Sequence, residues 1–404
     1  MASQLSQRIH NMAESATLAI AKQIQALRAQ GREIYDLSIG EPNLPTPAII
    51  QAAAKHAIDT GQYASYPPIA GYQDLRKAIA HKLGKENDIP CTPEQVIVSN
   101  GAKQALFNLF MCLCNPGDEV IVYTPYWGSY LQMIRLTGAT PICLQGTWDN
   151  NFEPTIAQVA NAITPQTKAI IFSSPSNPNG LVLSKDHLLS LAKLLQQHPD
   201  VVVIADEIYE YIHFGTSFTS IGSIPSLQDR VITVNGFSKS YAMTGWRIGY
   251  LAAPLWLAQA CEKLQGQSTG GACGIAQRAA LAAFELPQST LQQICTTYSQ
   301  KVDVAMQHLQ DMKGIICHRP LGTFYLFPDI SCYFGYTDGE VMITDADTFV
   351  LYLLQEAQIS IVSGKAFGVP TCVRLSVATT DEIITKAMER MKQALNKLRP
   401  ASSN

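Results

Sequence analysis

The sequence predicts an α/β protein with a large domain, built on a mostly parallel sheet covered by helices, and a smaller α+β domain. From about residue 48, helical stretches alternate with short apolar runs of strand length. These runs are Val96–Val98, Glu119–Val122, Ala169–Phe172, Val201–Ile204 and Val231–Val234. Strands of a parallel sheet are buried on both faces and therefore form continuous apolar runs. The 404 residues are enough for two hydrophobic cores.

The segment before residue 48 predicts one helix, one short strand and a connector. Ser15–Arg28 has apolar residues at helical spacing, and Ile34–Ile39 has the pattern of a strand. Gly40–Pro47 contains three prolines, which exclude a regular element. Because this segment is too short to fold alone, we expect it to pack against the C-terminal part of the chain.

The pattern changes after Pro287. A long helix to Met312 is followed by a strand at Phe324–Leu326, a helix at Phe349–Gln358 and a strand that ends near Arg374. Mixed elements of this kind predict an α+β domain. The predicted divisions are therefore residues 1–47, which pack with the small domain, residues 48–287, the large domain, and residues 288–404, the small domain.

Composition and charge narrow the classes of partner. Hydrophobic residues make up 47% of the chain and charged residues 15%, which is typical of a globular protein. The net charge of -3 provides no basic field that would attract nucleic acid or an anionic membrane, and no apolar run approaches transmembrane length. We therefore expect small-molecule partners, without nucleic acid or membrane binding.

The 10 cysteines are scattered, and their spacing matches neither a zinc site nor a redox motif. We expect no metal site and a reducing, cytoplasmic location. The polar, amphipathic N-terminus leaves an organelle presequence open as the alternative.

Three charged residues follow strands of the predicted sheet. Lys239 lies after Val231–Val234, between two serines, and Arg247 follows eight positions later. Asp206 comes directly after Val201–Ile204 and Ala205, where burial of a carboxylate is costly without a partner. A protonated heterocyclic nitrogen would be such a partner; a helix cap or a structural salt bridge is the alternative.

Other polar and aromatic groups follow the remaining strands. The turn at Gly101 opens a helix whose first amides, those of Ala102 and Lys103, can hold a phosphate. Trp127 lies in a turn where its indole can stack on a planar ligand, and Asn177 lies in a turn where it can donate to a ligand oxygen. Each of these features also has a common structural explanation when taken singly. The Gly101 segment can be a simple β-α turn, Trp127 can pack in the core, and Asn177 can stabilise its own turn. Tyr209, three residues after Asp206, can reach the same ligand.

These groups meet the requirements of one cofactor. Pyridoxal phosphate needs a primary amine, a carboxylate that keeps its ring nitrogen protonated, an aromatic plate and a phosphate anchor. Open α/β sheets bind ligands at the carboxyl ends of their strands, where all of these residues are expected.

At these residues the chain resembles the class I aminotransferases, the aspartate aminotransferase family of pyridoxal-phosphate enzymes with the type I fold. The resemblance covers nearly the whole chain. It is strongest with a bacterial subgroup of aspartate and prephenate aminotransferases. The motifs are Gly40-Glu41-Pro42, Tyr66-Pro67-Pro68 with Gly71, Gly101-Ala102-Lys103-Gln104-Ala105, Ser174-Pro175-Ser176-Asn177-Pro178, Asp206-Glu207-Ile208-Tyr209, the Lys239 segment and Val373-Arg374-Leu375-Ser376.

The resemblance implies a cofactor role for each matching residue. Lys239 would hold the internal aldimine and shuttle the proton, and Asp206 would pair with the pyridine nitrogen. Asn177 and Tyr209 would bond the phenolic oxygen, and Trp127 would stack on the ring. The phosphate would be bound by Arg247, by the turn at Gly101, Ala102 and Lys103, and by Tyr66 of the second subunit in a homodimer with shared active sites.

The resemblance also implies a substrate class. Arg374 would clamp the α-carboxylate of the amino acid, next to the backbone of Gly40 and to Trp127 and Asn177. A distal carboxylate would be bound by Lys103 with the hydroxyls of Ser15 and Thr17. The implied reaction is a ping-pong transfer of an amino group between L-aspartate, or glutamate, and a 2-oxo acid.

Alternatives remain open at this point. The same groups suit prephenate, and a broader aromatic or other amino-acid specificity depends on loop positions. A pyridoxal-phosphate-dependent C–S lyase shares the fold, and a ligand-sensing regulator would append a DNA-binding module, of which no basic helix-turn-helix is visible before Gly40. The chain departs from the family's pattern at two places: Gly236 stands where many relatives have a phosphate-binding hydroxyl, and Gly270–Gly274 stands where they have a more polar stretch near the site.

Overall fold

The computed structural model describes residues 5–10, 12–13 and 16–401, without the side chains of residues 16–21 and 23. Its first elements lie ahead of the main sheet. They are α1 (Gln7–His10), α2 (Ala16–Ala29) and β1 (Tyr35–Asp36). The predicted helix is present within one residue at each end, whereas the predicted strand is shortened to two residues because the chain soon enters the proline-rich connector.

The next part of the chain alternates strands and helices. Its elements in order are α3 (Ala48–Thr60), α4 (Gln73–Glu86), β2 (Val96–Ser99), α5 (Ala102–Leu113), β3 (Glu119–Thr124), α6 (Ser129–Leu136), β4 (Thr140–Gln145), α7 (Ile156–Ala162), β5 (Thr167–Ser173), α8 (Lys185–Leu195), β6 (Val202–Asp206), β7 (Val231–Gly236), β8 (Gly249–Ala252), α9 (Leu255–Ser268) and α10 (Gly274–Ala283). All five strands predicted from apolar runs are present.

One seven-stranded sheet joins these strands in the order β2-β8-β7-β6-β5-β3-β4. β8 is antiparallel to both of its neighbours, and the other six strands run in one direction. The sequence patterns missed β4 and β8. β4 lies at the edge of the sheet, half exposed and with Pro141 inside it, and β8 has only four residues; short or edge strands lack a long apolar run.

Alternate residues of the strands pack against the helices on opposite faces. In β2, Val96 and Val98 belong to one buried cluster and Ile97 to another. In β3, Ile121 likewise points away from Val120 and Val122. Both faces of the sheet are therefore buried under helices. A ligand can bind at the edge of the sheet formed by the carboxyl ends of the strands.

The C-terminal part is a mixture of helices and short strands. Its elements are α11 (Gln288–Gln310), β9 (Tyr325–Leu326), β10 (Tyr336–Thr337), β11 (Met342–Ile343), α12 (Ala346–Tyr352), a π-helical turn (Leu353–Ala357), β12 (Ile359–Ser360), β13 (Val362–Ser363), β14 (Val373–Ser376), α13 (Asp381–Leu395) and β15 (Arg399–Pro400). The predicted helix at Phe349–Gln358 is thus α12, which begins three residues earlier, together with the π-helical turn.

The N-terminal segment packs on this C-terminal part. β1 pairs in parallel with β12, and Ser376 N donates to Leu37 O at 2.8 Å. Ile24 and Ile34 form a buried cluster with Leu354. We keep the division at residues 47 and 287 as a proposal, which these contacts support.

Within the described residues, no helix is both long and apolar enough to cross a membrane, and no group of three or more His, Cys, Asp or Glu side chains is placed to hold a metal ion. All ten cysteines are free thiols.

Candidate functional site

A cavity of about 570 Å³ opens at the carboxyl ends of the central strands, a volume in the usual range for small-molecule sites. It brings together residues from distant parts of the sequence. The residues in its wall that the sequence analysis singled out are Gly40, Ala102, Lys103, Trp127, Asn177, Asp206, Tyr209, Lys239, Arg247 and Arg374.

Lys239 projects into this cavity from the loop between β7 and β8. Its Nζ donates to Gly40 O at 2.6 Å and lies 5.8 Å from the centre of the Tyr209 ring. Burial lowers the pKa of Lys239 to about 8, and the positive charges of Arg374 and Arg247 act in the same direction. The negative charges of Glu41 and Asp206 oppose this shift. A neutral amine is therefore accessible near neutral pH, as a nucleophile or base requires.

Replacing Glu41 by glutamine is expected to lower the pKa of Lys239 below about 8, because it removes the carboxylate that most strongly favours the charged amine. The measurement is the pH dependence of Lys239 modification by an amine-reactive reagent in cofactor-free protein, read by mass spectrometry. Its midpoint should move to lower pH. The exposed Glu285→Gln is the matched control, and a midpoint equally unmoved in both variants would contradict the assignment.

Asp206 ends β6 at the floor of the cavity and is only 5% exposed. Its Oδ2 accepts a hydrogen bond from the hydroxyl of Tyr130, and its Oδ1 accepts one from Ile208 N at 3.4 Å. Burial raises the pKa of Asp206 to about 6, while the Tyr130 bond and the charge of Lys239 act against this shift. Tyr130, which the sequence analysis did not single out, therefore helps to keep the carboxylate charged.

Trp127 forms an aromatic part of the wall. Its ring is edge-on to the Tyr130 ring at 5.5 Å between centres, and Lys103 Nζ lies 4.9 Å from the indole centre. The cation and the aromatic face thus stand side by side at one end of the cavity.

Arg374 belongs to β14 and is 3% exposed. Its Nη1 donates to Asn177 Oδ1 at 3.1 Å and its Nη2 to Ser38 O at 2.7 Å. Nε is buried without a hydrogen-bond partner, and the guanidinium lies 4.4 Å from the Tyr325 ring centre. A buried arginine held in this way can offer remaining donors to a carboxylate as a two-pronged partner.

Tyr325 is a functional residue that the sequence analysis missed. Its hydroxyl is 2.9 Å from that of Tyr209, and its ring supports Arg374. A Cβ at residue 40 would lie 2.7 Å from the Tyr325 hydroxyl, so the close approach requires Gly40. The sequence did predict a strand at Phe324–Leu326, which could have pointed to Tyr325. In the structure this strand, β9, pairs with β14, which carries Arg374.

Arg247 and the start of α5 form an anion cradle. Arg247 Nη1 donates to Thr244 O at 2.8 Å and Nη2 to Asn100 O at 3.3 Å. A Cβ on Gly101 would come within 2.5 Å of Nη2, and Gly101 has φ +83°, so glycine is required on both grounds. The amides of Ala102 and Lys103 begin the helix beside this guanidinium.

The cavity wall has an excess of positive charge. Lys103, Lys239, Arg247 and Arg374 face the acids Glu41 and Asp206. Within residues 5–10, 12–13 and 16–401, none of the four cations forms a salt bridge with a carboxylate. Unpaired cations in a cavity suit a ligand with more than one negative group.

Four of the predicted residues are not found in the cavity wall or are not described. Tyr66 is fully exposed and outside the cavity. Ser15 lies outside the described residues. Thr17 belongs to α2, but its side chain is not among those that the structure describes. Gly236 packs against β8, where a Cβ would lie 2.8 Å from Gly249 Cα.

The stretch Gly270–Gly274 lies against the segment of residues 63–72 instead of the cavity. A Cβ on Gly271 would be 2.5 Å from Pro68 O, and one on Gly274 would be 2.9 Å from the Tyr72 hydroxyl. The small residues therefore allow this segment, which carries Tyr66, to pack closely.

Comparison with known proteins gives a consistent result. The family model described as aminotransferase class I and II matches residues 32–391. A bifunctional aspartate aminotransferase and glutamate/aspartate-prephenate aminotransferase of Petunia hybrida is 40% identical over 401 residues, which are 98% of this chain and 84% of the relative. An aspartate/prephenate aminotransferase of Cereibacter sphaeroides is 41% identical over 391 residues, covering 96% of this chain and 98% of the relative.

Solved structures agree over the same length. The aspartate aminotransferase of Rhizobium meliloti superposes with a TM-score of 0.94 at 34% identity, covering 98% of this chain and 99% of the other. The aspartate aminotransferase of Thermus thermophilus with maleate has a TM-score of 0.91 at 37% identity, with coverages of 96% and 99%.

Proposed function

The chain belongs to the aminotransferases of class I and II, and we propose that within this family it transfers the amino group between L-aspartate, or L-glutamate, and a 2-oxo acid. One observation carries the substrate class: the buried Arg374 and the more exposed Lys103 line the same cavity without carboxylate partners among the described residues. Two such cations suit a substrate with two carboxylates. The Thermus thermophilus relative was solved with maleate, which is a dicarboxylate.

The cofactor of this family is pyridoxal phosphate, and the residues of the cavity fit it. The primary amine of Lys239, the buried carboxylate of Asp206 and the cradle of Arg247 and α5 line one space. When bound, the cofactor supplies an electrophilic aldehyde and a ring that accepts electrons from the substrate α-carbon.

Each cofactor contact is assigned to a group in the wall. Arg247 and the amides of Ala102 and Lys103 would hold the phosphate, and the Trp127 indole would cover the ring. Asn177 and Tyr209 would donate to the phenolic oxygen. The Tyr209 hydroxyl lies 2.9 Å from that of Tyr325, a contact that holds the Tyr209 oxygen in place before the ligand binds.

Two residues of this chain manage protons. Asp206 would favour a protonated ring nitrogen in the bound cofactor, because a buried carboxylate and a neighbouring cation each stabilise the charged form of the other. Lys239, with its pKa lowered to about 8, would act as the base for the α-proton of the substrate and as the acid that gives the proton back. Arg374 and Gly40 bind the α-carboxylate and so keep the α-carbon near Nζ.

Replacing Lys103 by methionine is expected to reduce kcat/KM for aspartate by about tenfold and to leave kcat/KM for alanine unchanged, because one charge-assisted bond worth about 1.4 kcal/mol is lost only with the dicarboxylate. The substitution retains the backbone amide that opens α5. Steady-state kinetics with both amino acids measure the difference. An equal loss for alanine would show that Lys103 acts on the cofactor and not on the substrate.

A second acceptor has specific support. Relatives of Petunia hybrida and Cereibacter sphaeroides are named as prephenate aminotransferases, and prephenate is also a dicarboxylate. A half-reaction panel that follows cofactor absorbance with aspartate, glutamate, tyrosine, alanine and prephenate separates the candidates. Aspartate that fails to convert the cofactor would defeat the main proposal.

We also propose a cytoplasmic homodimer in which Tyr66 reaches the partner's phosphate site. The side chain of Tyr66 is fully exposed in one chain, and ten free thiols suit a reducing compartment. Sedimentation of the protein tests the dimer, and Tyr66→Phe should weaken cofactor binding only in the associated form.

A further inference from the structure

The loop that carries Lys239 and Arg247 has an unfavourable backbone. Ala242 has φ +51° and Arg247 has φ +57°, a region that residues with a Cβ seldom adopt. Its internal backbone hydrogen bonds, from Ala242 N to Lys239 O, from Met243 N to Ser238 O and from Trp246 N to Met243 O, are each 3.3 Å long. Such bonds are at the weak end of the usual range. Apart from the bond of Arg247 Nη1 to Thr244 O, the backbone of the loop is therefore held mainly by contacts from outside it.

Thr46 supplies such contacts from the proline-rich connector. Its Oγ1 donates to Ala242 O at 2.6 Å and accepts from Trp246 Nε1 at 3.1 Å. A hydroxyl has one donor and two acceptor positions, so Thr46 can make both bonds at once. The two partners flank the middle of the loop, and one of them belongs to a residue with positive φ.

Thr46 is itself held in place. Prolines precede and follow it, which restricts the backbone to extended conformations, and Gln51 Nε2 donates to Thr46 O at 2.5 Å. Its hydroxyl therefore approaches the loop from a rigid support. Thr46 does not line the cavity, so any effect on the ligand must pass through the loop.

A second, more exposed bond joins the same two segments. Thr244 Oγ1 donates to Glu41 Oε2 at 3.0 Å, on the cavity side of the connector. Glu41 also affects the charge of Lys239, so its substitution would mix two effects. Thr46 is the better probe because its hydroxyl is uncharged, so its substitution changes the hydrogen bonds to the loop without removing a charge near Lys239.

We propose that Thr46 is a positioning residue whose hydroxyl sets the relative placement of Lys239 and Arg247 and thereby the affinity for pyridoxal phosphate. The proposal rests on the proposed function, because the amine and the guanidinium would bind the aldehyde and the phosphate of one molecule. A loop already in its binding shape avoids the ordering cost that a free loop would incur on binding.

The test is a titration of cofactor-free protein with pyridoxal phosphate, followed by absorbance. Thr46→Val should raise the dissociation constant by about tenfold, which corresponds to the loss of two ordinary hydrogen bonds. Thr46→Ser, which retains the hydroxyl, should bind within about twofold of wild type. Trp246→Phe removes the second bond while it keeps an aromatic ring at this position, and it should raise the constant by about threefold.

Thr296→Val is the matched control, since it deletes an exposed hydroxyl that donates to a backbone carbonyl within α11. Its affinity should equal that of wild type. Wild-type affinity in Thr46→Val, or a loss in Thr46→Ser as large as in Thr46→Val, would overturn the proposal. A lower melting temperature of cofactor-free Thr46→Val with unchanged affinity would also overturn it. Wild-type protein that binds the cofactor but fails to convert aspartate would defeat the substrate assignment and leave this comparison valid.

Discussion

Replacing Lys239 by alanine is expected to slow the half-reaction with aspartate on the order of 10⁴-fold, the upper end of what one positioned acid–base group contributes. The amine is buried, contacts Gly40 O and has its pKa lowered to about 8, so it combines reach with partial neutrality. Lys103 is the other amine in the cavity wall, and it lies beside the Trp127 indole. The measurement is the single-turnover change in cofactor absorbance.

Lys193→Ala, on the exposed face of α8, is the control for loss of a lysine as such and should behave like wild type. Normal transamination by Lys239→Ala would remove this residue from the mechanism. A variant that retains cofactor binding through Arg247 and α5 while losing turnover would separate the role of the amine from that of the phosphate site.

Replacing Arg374 by alanine is expected to lower kcat/KM for aspartate by roughly 10²-fold, about 3 kcal/mol, because two charge-assisted bonds to the α-carboxylate are lost. The loss should be similar for aspartate and alanine, since both have an α-carboxylate. This pattern differs from the one expected for Lys103→Met. Steady-state kinetics with the two amino acids measure both effects.

Arg374→Lys keeps the charge and tests the geometry. A single ammonium cannot reproduce the planar fork that reaches both Asn177 Oδ1 and Ser38 O, so we expect a loss of at least about tenfold. The exposed Arg399→Ala should have no effect. If Arg374→Lys is fully active, the two-pronged carboxylate clamp is wrong, although a charge contribution would remain.

The sequence predicted the edge of the sheet where the site lies. Apolar runs identified five parallel strands, and the polar residues directly after those runs line one cavity, because the carboxyl ends of parallel strands meet at the same edge. Asp206 illustrates this well. Its place after a run of apolar residues was sufficient to predict burial, and the structure confirms it at 5% exposure.

Contacts between distant segments were beyond prediction. The Tyr209–Tyr325 pair spans 116 residues, and the bond from Arg374 to Ser38 spans 336. Tyr130 reaches Asp206 from a helix beside another strand, 76 residues away. No local periodicity encodes such pairs: the first two depend on how the C-terminal part packs over the sheet, and the third depends on which strands are neighbours in the sheet.

The sequence by itself determined which chemical groups are present and in which order the strands present them. An amine, a carboxylate, an indole and two arginines each follow or belong to a recognisable strand, and their order matches one family. The tertiary structure decided how those groups behave. It lowers the pKa of Lys239 to about 8, raises that of Asp206 to about 6 and aims Arg374 into the cavity, because desolvation and orientation arise only when distant segments exclude water together.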